Sequence, residues 1–380
     1  LIGRRIPGKV VLATEILNRR DIMPTNMLYH TLFQRIQELR PGQRITQVRN
    51  FTWMLVGIYL SRSVYLSRIA AKMPGEAKLL SLVRRMSRLL DNRAIRVRDW
   101  YEPIARQWLT SQARQAIQIH LILDGTKIGF GHQLLMVGLA YRRRTIPIAW
   151  TWVRQARGHS STKIILSLLA YVHSLLPKGM AVLLVGDCEF GSVAVLRQLE
   201  TWKWDYVLRQ KANTKVCLAQ ATEWKDFGSY IDKAGQSIWL GAGWLTESKI
   251  HFTNLLIHWK IGEKEPWCLA TNLPDRHMAL KAYARRMWIE EMFGDLKRHG
   301  FDLESTMLHN FVRLSRLTLA VALLYVWLIS TGTQVIRDGM RHLVDRKDRR
   351  DLSIFQIGWR YIERLVVNAS PIRFSWCVYR

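Results

Sequence analysis

Two largely apolar runs constrain this chain most: Ile117-Gln-Ile-His-Leu-Ile-Leu-Asp124 and Ala181-Val-Leu-Leu-Val-Gly-Asp187 each end abruptly in a carboxylate. Both have strand length, and their weak polar alternation suits strands covered on both faces. Between them, 133–141 and 145–153 read as two more strands joined by the tight basic turn Arg142-Arg-Arg144, and 162–175 as a helix. After Asp187 a helix over 193–202 leads into a fifth strand, Trp204-Asp-Tyr-Val-Leu-Arg209. The order is therefore three strands, helix, strand, helix, strand.

That order predicts an α/β chain with a ribonuclease H-like catalytic core, a mixed sheet with helices on both faces. Residues 1–113 read as a basic helical DNA-binding domain, punctuated by Pro41-Gly42 and Pro74-Gly75. The first part of the core spans 114–211. Residues 212–272, rich in Trp, Thr, Gly and alternating apolar positions, read as a β-rich insertion. The core resumes over 273–330 with a polar-striped helix and a helix packing under the sheet, and 331–380 form a basic C-terminal segment.

The chain carries 57 Lys and Arg against 29 Asp and Glu, a net charge of +28. Because the arginines recur through apolar segments, the pattern is that of a folded surface meeting a polyanion, with nucleic acid the expected partner. A ribosome-like or membrane-surface protein is the competing class. Cys188, Cys217, Cys268 and Cys377 form no CxxC pair, which speaks against zinc and a disulfide framework and suits a reducing cytoplasm. No secretory signal is visible at the start, although a chain opening on Leu1 leaves N-terminal truncation open. The most apolar stretch, 317–329, is shorter than the ~18–20 residues of a membrane span and reads as a buried helix.

In the stretch 283–297, free of proline, Tyr283, Arg286, Glu290 and Lys297 would share one stripe of a single helix, at roughly 0°, 300°, 340° and 320°. One carboxylate flanked by a phenol, a guanidinium and an ammonium suits a metal-bound phosphate better than a core. In the expected sheet the first and fourth strands are neighbours, so Asp124 and Asp187 meet at one edge and Glu290 joins them. Three converging carboxylates repel unless cations compensate them, and hard oxygen donors suit Mg²⁺ or Mn²⁺. Two such ions activate a water or a 3′-hydroxyl and stabilise the leaving oxygen of a phosphodiester. Glu291 lies ~100° off the stripe and is set aside. Glu189 and Asp295 read as solvated or hydrogen-bonding neighbours.

The spacing Tyr283, two residues, Arg286, three, Glu290, six, Lys297 resembles the Y-(2)-R-(3)-E-(6)-K signature of IS4-family transposases, DDE enzymes that include the Tn5 type. Asp124 in Leu-Ile-Leu-Asp-Gly-Thr and Asp187 in Val-Gly-Asp-Cys-Glu-Phe-Gly resemble the two regions carrying that family's catalytic aspartates, and the β-rich insertion is also a family trait. The resemblance covers about 117–300. It implies that Asp124, Asp187 and Glu290 hold the metals while Tyr283, Arg286 and Lys297 grip phosphates at the cleaved end. It further implies cut-and-paste transposition, with terminal inverted repeats and target DNA as partners and a dimer formed on DNA. Relatives often carry Arg after the second Asp, where this chain has Cys188.

By the same resemblance Trp267 would stack on a flipped base, while a core role is equally open to it. Arg154, Arg157 and His159 follow the third strand and read either as DNA contacts or as a basic surface loop; Lys127 stands on the same footing. Two rivals remain: an inactive or truncated transposase-derived DNA-binding protein, and a ribonuclease H-like nuclease acting on RNA or branched DNA.

Overall fold

The computed structural model describes residues 25–129, 131–154 and 160–377. The chain begins with helices α1 (25–39), α2 (Ile45–Ser61), α3 (Leu66–Ala70), α4 (Leu79–Asp91) and α5 (Val97–Ala113). Then come β1 (Gln118–Ile128), β2 (His132–Tyr141), β3 (Arg144–Arg154), α6 (Thr162–Leu175), β4 (Ala181–Gly186), α7 (Val193–Thr201) and β5 (Asp205–Gln210). Five further strands follow: β6 (Lys215–Leu218), β7 (Lys225–Asp226), β8 (Ser237–Leu245), β9 (His251–His258) and β10 (Trp267–Thr271). The chain closes with α8 (Arg276–Tyr283), α9 (Met287–Leu296), α10 (Phe311–Arg337) and α11 (Ile354–Val367). Two compact units result, one comprising Ile104–Gly294 and the other the chain up to Pro103 together with Asp295 onwards.

The first unit is built on a ten-stranded sheet in the order β3-β2-β1-β4-β5-β10-β9-β8-β6-β7. β3, β2 and β1 are antiparallel neighbours, whereas β1, β4 and β5 run parallel. The expected strand and helix order holds, and β1 and β4 are adjacent. β4 is apolar throughout because it lies between two parallel neighbours, with Val182 to Val185 all buried. The 212–272 stretch continues this same sheet, since β10 pairs with β5 from Cys268↔Gln210 to Thr271↔Val207. Its strands belong to the compact unit that holds the core.

The β2–β3 turn has two residues, because Tyr141 pairs with Arg144. Arg142 and Arg143 both take left-handed backbone, with φ of 46° and 62°. A two-residue hairpin loop of this kind normally uses Asn-Gly. Two arginines there cost on the order of 1–3 kcal/mol each.

In the second unit α10 is a 27-residue helix, about twice the apolar run that marks it in the sequence. It continues past Ile329 because Ser330, Thr331 and Thr333 are helix-compatible and buried. By length and composition it could cross a membrane, but 89% of its most apolar window is buried. Within its own unit it packs on α2, α4 and α11. Gly332 and Gly358 let α10 and α11 touch backbone to backbone, where a Cβ on either would collide with a carbonyl of the other helix. Arg316, buried on α10, donates to the carbonyls of Leu90 (2.7 Å) and Ile95 (3.0 Å), satisfying the open end of α4.

Candidate active site

The register of the parallel pair assembles the site. Leu123 of β1 is opposite Gly186 of β4, so one step further along each strand Asp124 stands beside Asp187. Asp124 is buried: its Oδ1 accepts the Gly125 amide at 2.7 Å and its Oδ2 accepts Arg286 Nη1 at 2.5 Å. Arg286 Nη1 also lies 3.5 Å from Glu290 Oε1, so one guanidinium bridges two of the three predicted carboxylates.

Burial pushes the Asp124 carboxyl up to about 7; Arg286 opposes that shift, while Glu290 and Asp187 add to it. For Arg286, burial acts to lower the pKa, but Asp124, Tyr283, Asp187 and Glu290 outweigh it and raise the net value. The Asp187 Oδ1 is buried with no hydrogen-bond partner among the described residues, 3.7 Å from Arg209 Nη1. Arg209 is a site residue that the sequence reading missed. Its one sequence signal is its position, a cation closing the fifth buried strand.

Two expectations for the stripe need correction. It is not one helix: α8, capped by the Asp275 carboxylate, which accepts from the amides of His277 and Met278, ends at Tyr283, and 284–286 tighten into a 3₁₀ turn before α9. A 3₁₀ turn winds ~120° per residue instead of ~100°, so Tyr283 rotates by roughly 60° relative to Glu290. Arg286 and Glu290 keep their i,i+4 relation. Lys297, one residue past α9 and in the other unit, pairs with Glu304 at 2.8 Å instead of standing as an open ammonium.

Tyr283 is buried and its hydroxyl has no hydrogen-bond partner among the described residues; burial, then Asp187, raises its pKa. Its ring meets Trp267 edge-on at 4.9 Å, and Trp267, opening β10, also contacts His258 at 5.4 Å. Glu291 turns to Arg144, 3.2 Å away. Glu189 accepts from the Ser160 amide (2.7 Å), the Ser160 hydroxyl (2.6 Å) and Gln133 Nε2 (2.9 Å). Gln133 reaches it across Gly125, where a Cβ would collide with the amide. Half-buried Cys188 has its thiol pKa raised, chiefly by burial. Arg154 is exposed at the end of β3 opposite His132, and Lys127 is exposed on β1 opposite Gln133. Arg157 and His159 lie outside the described residues.

No three His, Cys, Asp or Glu side chains among the described residues stand close enough together to hold an ion as placed. The donor chemistry nonetheless fits a hard divalent cation. Asp124 is a buried carboxylate crowded by two others, Asp187 has an orphaned oxygen, and Arg286 fills the cationic position between Asp124 and Glu290.

No curated protein matches the chain. Among solved structures, a piggyBac transposase synaptic complex with hairpin DNA is 10% identical with a TM-score of 0.41, over 92% of this chain and 80% of that one. The Argonaute of Marinitoga piezophila with guide RNA and target DNA is 8% identical with a TM-score of 0.24, over 66% and 37%. Similarities that low carry no argument. The model of the transposase DDE domain family, by contrast, matches residues 115–327, more than half of the chain and all of the carboxylate edge. The chain belongs to the transposase DDE domain family.

Proposed function

We propose that this chain is an insertion-sequence DNA transposase of the IS4 type, working by cut and paste on a ribonuclease H-like core. The observation that carries the reading is the joint of β1 and β4: Asp124 and Asp187 side by side, with Arg286 linking Asp124 to Glu290, inside the family match. Asp124, Asp187 and Glu290 are the residues to hold Mg²⁺ or Mn²⁺, two ions in all. When bound, the ions supply an activated oxygen nucleophile and charge stabilisation at the leaving oxygen.

The chain's own groups do the rest. Arg286, already cationic between two carboxylates, turns to a phosphate oxygen as a bidentate donor when that charge is otherwise compensated. The Tyr283 hydroxyl stays protonated and has no hydrogen-bond partner among the described residues, so it can donate to the same phosphate. Lys297 contributes only after leaving Glu304. Trp267, stacked edge-on against Tyr283, offers a ring to a flipped base. Water nicks the element end, and the freed 3′-hydroxyl attacks the opposite strand or target DNA. Synapsis of two terminal inverted repeats requires a dimer on DNA, the N-terminal helices reading the repeats mainly through phosphates.

The test is Mg²⁺-dependent cleavage of a plasmid carrying the DNA that flanks the gene, by wild type and by Glu290→Gln. Cutting at the element ends by wild type alone, followed by strand transfer, supports the reading. Hydrolysis without strand transfer points to a nuclease, and DNA binding without cutting by either protein points to an inactive DNA-binding descendant.

A further inference from the structure

The β2–β3 turn calls for an explanation that the carboxylate edge does not provide. Arg142 and Arg143 hold the two left-handed positions, where Asn-Gly is the relaxed choice. Both side chains are exposed, and neither is ion-paired among the described residues. The internal contacts of the turn come from its neighbours: Arg144 pairs with Glu291, and the Arg142 guanidinium lies only over the adjacent Tyr141 ring, 5.8 Å from its centroid. Among the described residues of the unit, nothing therefore rewards two arginines at the tip. Their charge points outward.

The surroundings match that charge. An open groove of about 480 Å³, reached by β2 at Ala140 just before the turn, includes Gln115, Ile117, Gln118, His120, Arg285 and Trp288 in its lining. Arg285 stands over the Trp288 ring at 5.8 Å and is held by His120 Nδ1 at 2.6 Å. The two carboxylates nearby are engaged, Glu291 with Arg144 and Asp205 with the Gln118 amide at 2.6 Å. The amides and the guanidinium offer donors to a nucleic-acid backbone, with the Trp288 indole and the exposed Ile117 as apolar faces beside them.

Distance along the strand then fixes the spacing. Met136 of β2 faces Asp124, and Arg142 lies six residues further on. At ~3.3 Å per residue the turn is about 20 Å from the carboxylates, or roughly six base pairs of duplex. We infer that the Arg142-Arg143 tip is a second duplex-DNA contact, gripping backbone phosphates about six base pairs from the phosphodiester at the carboxylate edge. This rests on the transposase reading and adds to it where the flanking duplex lies.

The test exploits the strained turn. Arg142→Asn combined with Arg143→Gly relaxes the backbone and removes both charges, while Arg142→Lys with Arg143→Lys keeps the charge. Full-length proteins are compared by thermal melting and by anisotropy of a fluorescent duplex over a salt series. The Asn-Gly variant is expected to melt a few degrees higher, bind several-fold more weakly, and show a slope of log Kd against log salt smaller by about 2. The Lys-Lys variant keeps the wild-type slope. Unchanged affinity and slope in the Asn-Gly variant would overturn the inference and leave an acidic protein as the partner to seek. A lower melting temperature would overturn the strain argument. If wild type itself binds no duplex, the transposase reading falls as well, an outcome distinct from failure at the tip alone.

Discussion

Strand β1 meets the turn between α8 and α9 twice, and the two contacts differ in kind. Arg286 reaches Asp124, while its neighbour Arg285 reaches His120 Nδ1 at 2.6 Å, four residues away on the same face and about 13 Å along the strand. At Asp124 a buried carboxylate is crowded by Glu290 and Asp187 and pushed up to about 7. At His120 burial, and then Arg285, push the imidazole down to about 4, so the ring is neutral at ordinary pH and simply accepts the guanidinium. One cation sits in a cluster of competing anions that another cation could take over. The other sits on a neutral ring with nothing to exchange. The same residue type on the same turn thus makes a poised contact at one point and a fixed strut at the next.

The largest expected effect separates the two at the level of chemistry. Asp124→Asn is expected to lower metal-dependent end cleavage on the order of 10³-fold or more, whereas His120→Asn stays within about threefold. A gel assay of cleavage at saturating DNA measures both. A comparable loss in the two variants would mean that the strut is part of the reacting site.

A smaller split is expected between the arginines. Arg286→Ala should cost about 10²-fold in the cleavage rate, because it removes a donor aimed at developing charge, and Arg285→Ala less than about threefold. The melting temperature of the metal-free protein should also fall with Arg286→Ala, which leaves Asp124 and Glu290 facing each other without a cation. Mg²⁺ supplies the missing charge by another route. It should raise the wild-type melting temperature at pH 8 and leave Asp124→Asn unmoved, as expected of a ligand that binds only the folded site. Calorimetry with and without EDTA measures this, and an equal Mg²⁺ shift in both proteins would place the ion elsewhere.

The Asp124 side of this contrast was legible in the sequence, the His120–Arg285 side was not, and the gaps have physical causes. Asp124 and Asp187 announce themselves because a carboxylate ending an apolar strand is costly to bury, and the sheet expected from the element order made β1 and β4 neighbours, as they are. The stripe of Tyr283, Arg286 and Glu290 follows from helical period, but the 3₁₀ turn at 284–286 does not, since no proline or glycine marks it. Arg209 beside Asp187 and Lys297 beside Glu304 are partnerships that residue spacing does not encode. The joining of β10 to β5 is likewise a pairing choice between strands separated by more than fifty residues. Alternation within 212–272 marks strands and leaves their neighbours unspecified.

The smallest effect is the most diagnostic, because the two contacts should bend the stability curve in opposite directions. Asp124 has its folded pKa near 7, above its ordinary 3.8, so the folded protein keeps a proton that the unfolded chain has lost. That contribution is fully present below about pH 4 and is lost as pH rises through 7. His120 has its folded pKa near 4, below its ordinary 6.5, so the unfolded chain takes up a proton that the folded ring refuses. Its contribution is present above pH 6.5 and is lost as pH falls toward 4. In metal-free buffer, Asp124→Asn should flatten the decline in melting temperature between pH 4 and 7, and His120→Gln should flatten the acid-side loss over 6.5 to 4. The second change should be the weaker, because His120 is only part-buried and solvent screens it. An Asp124→Asn curve parallel to wild type across that range would mean that Arg286 already neutralises the carboxylate. In that case the two contacts would be struts of one kind.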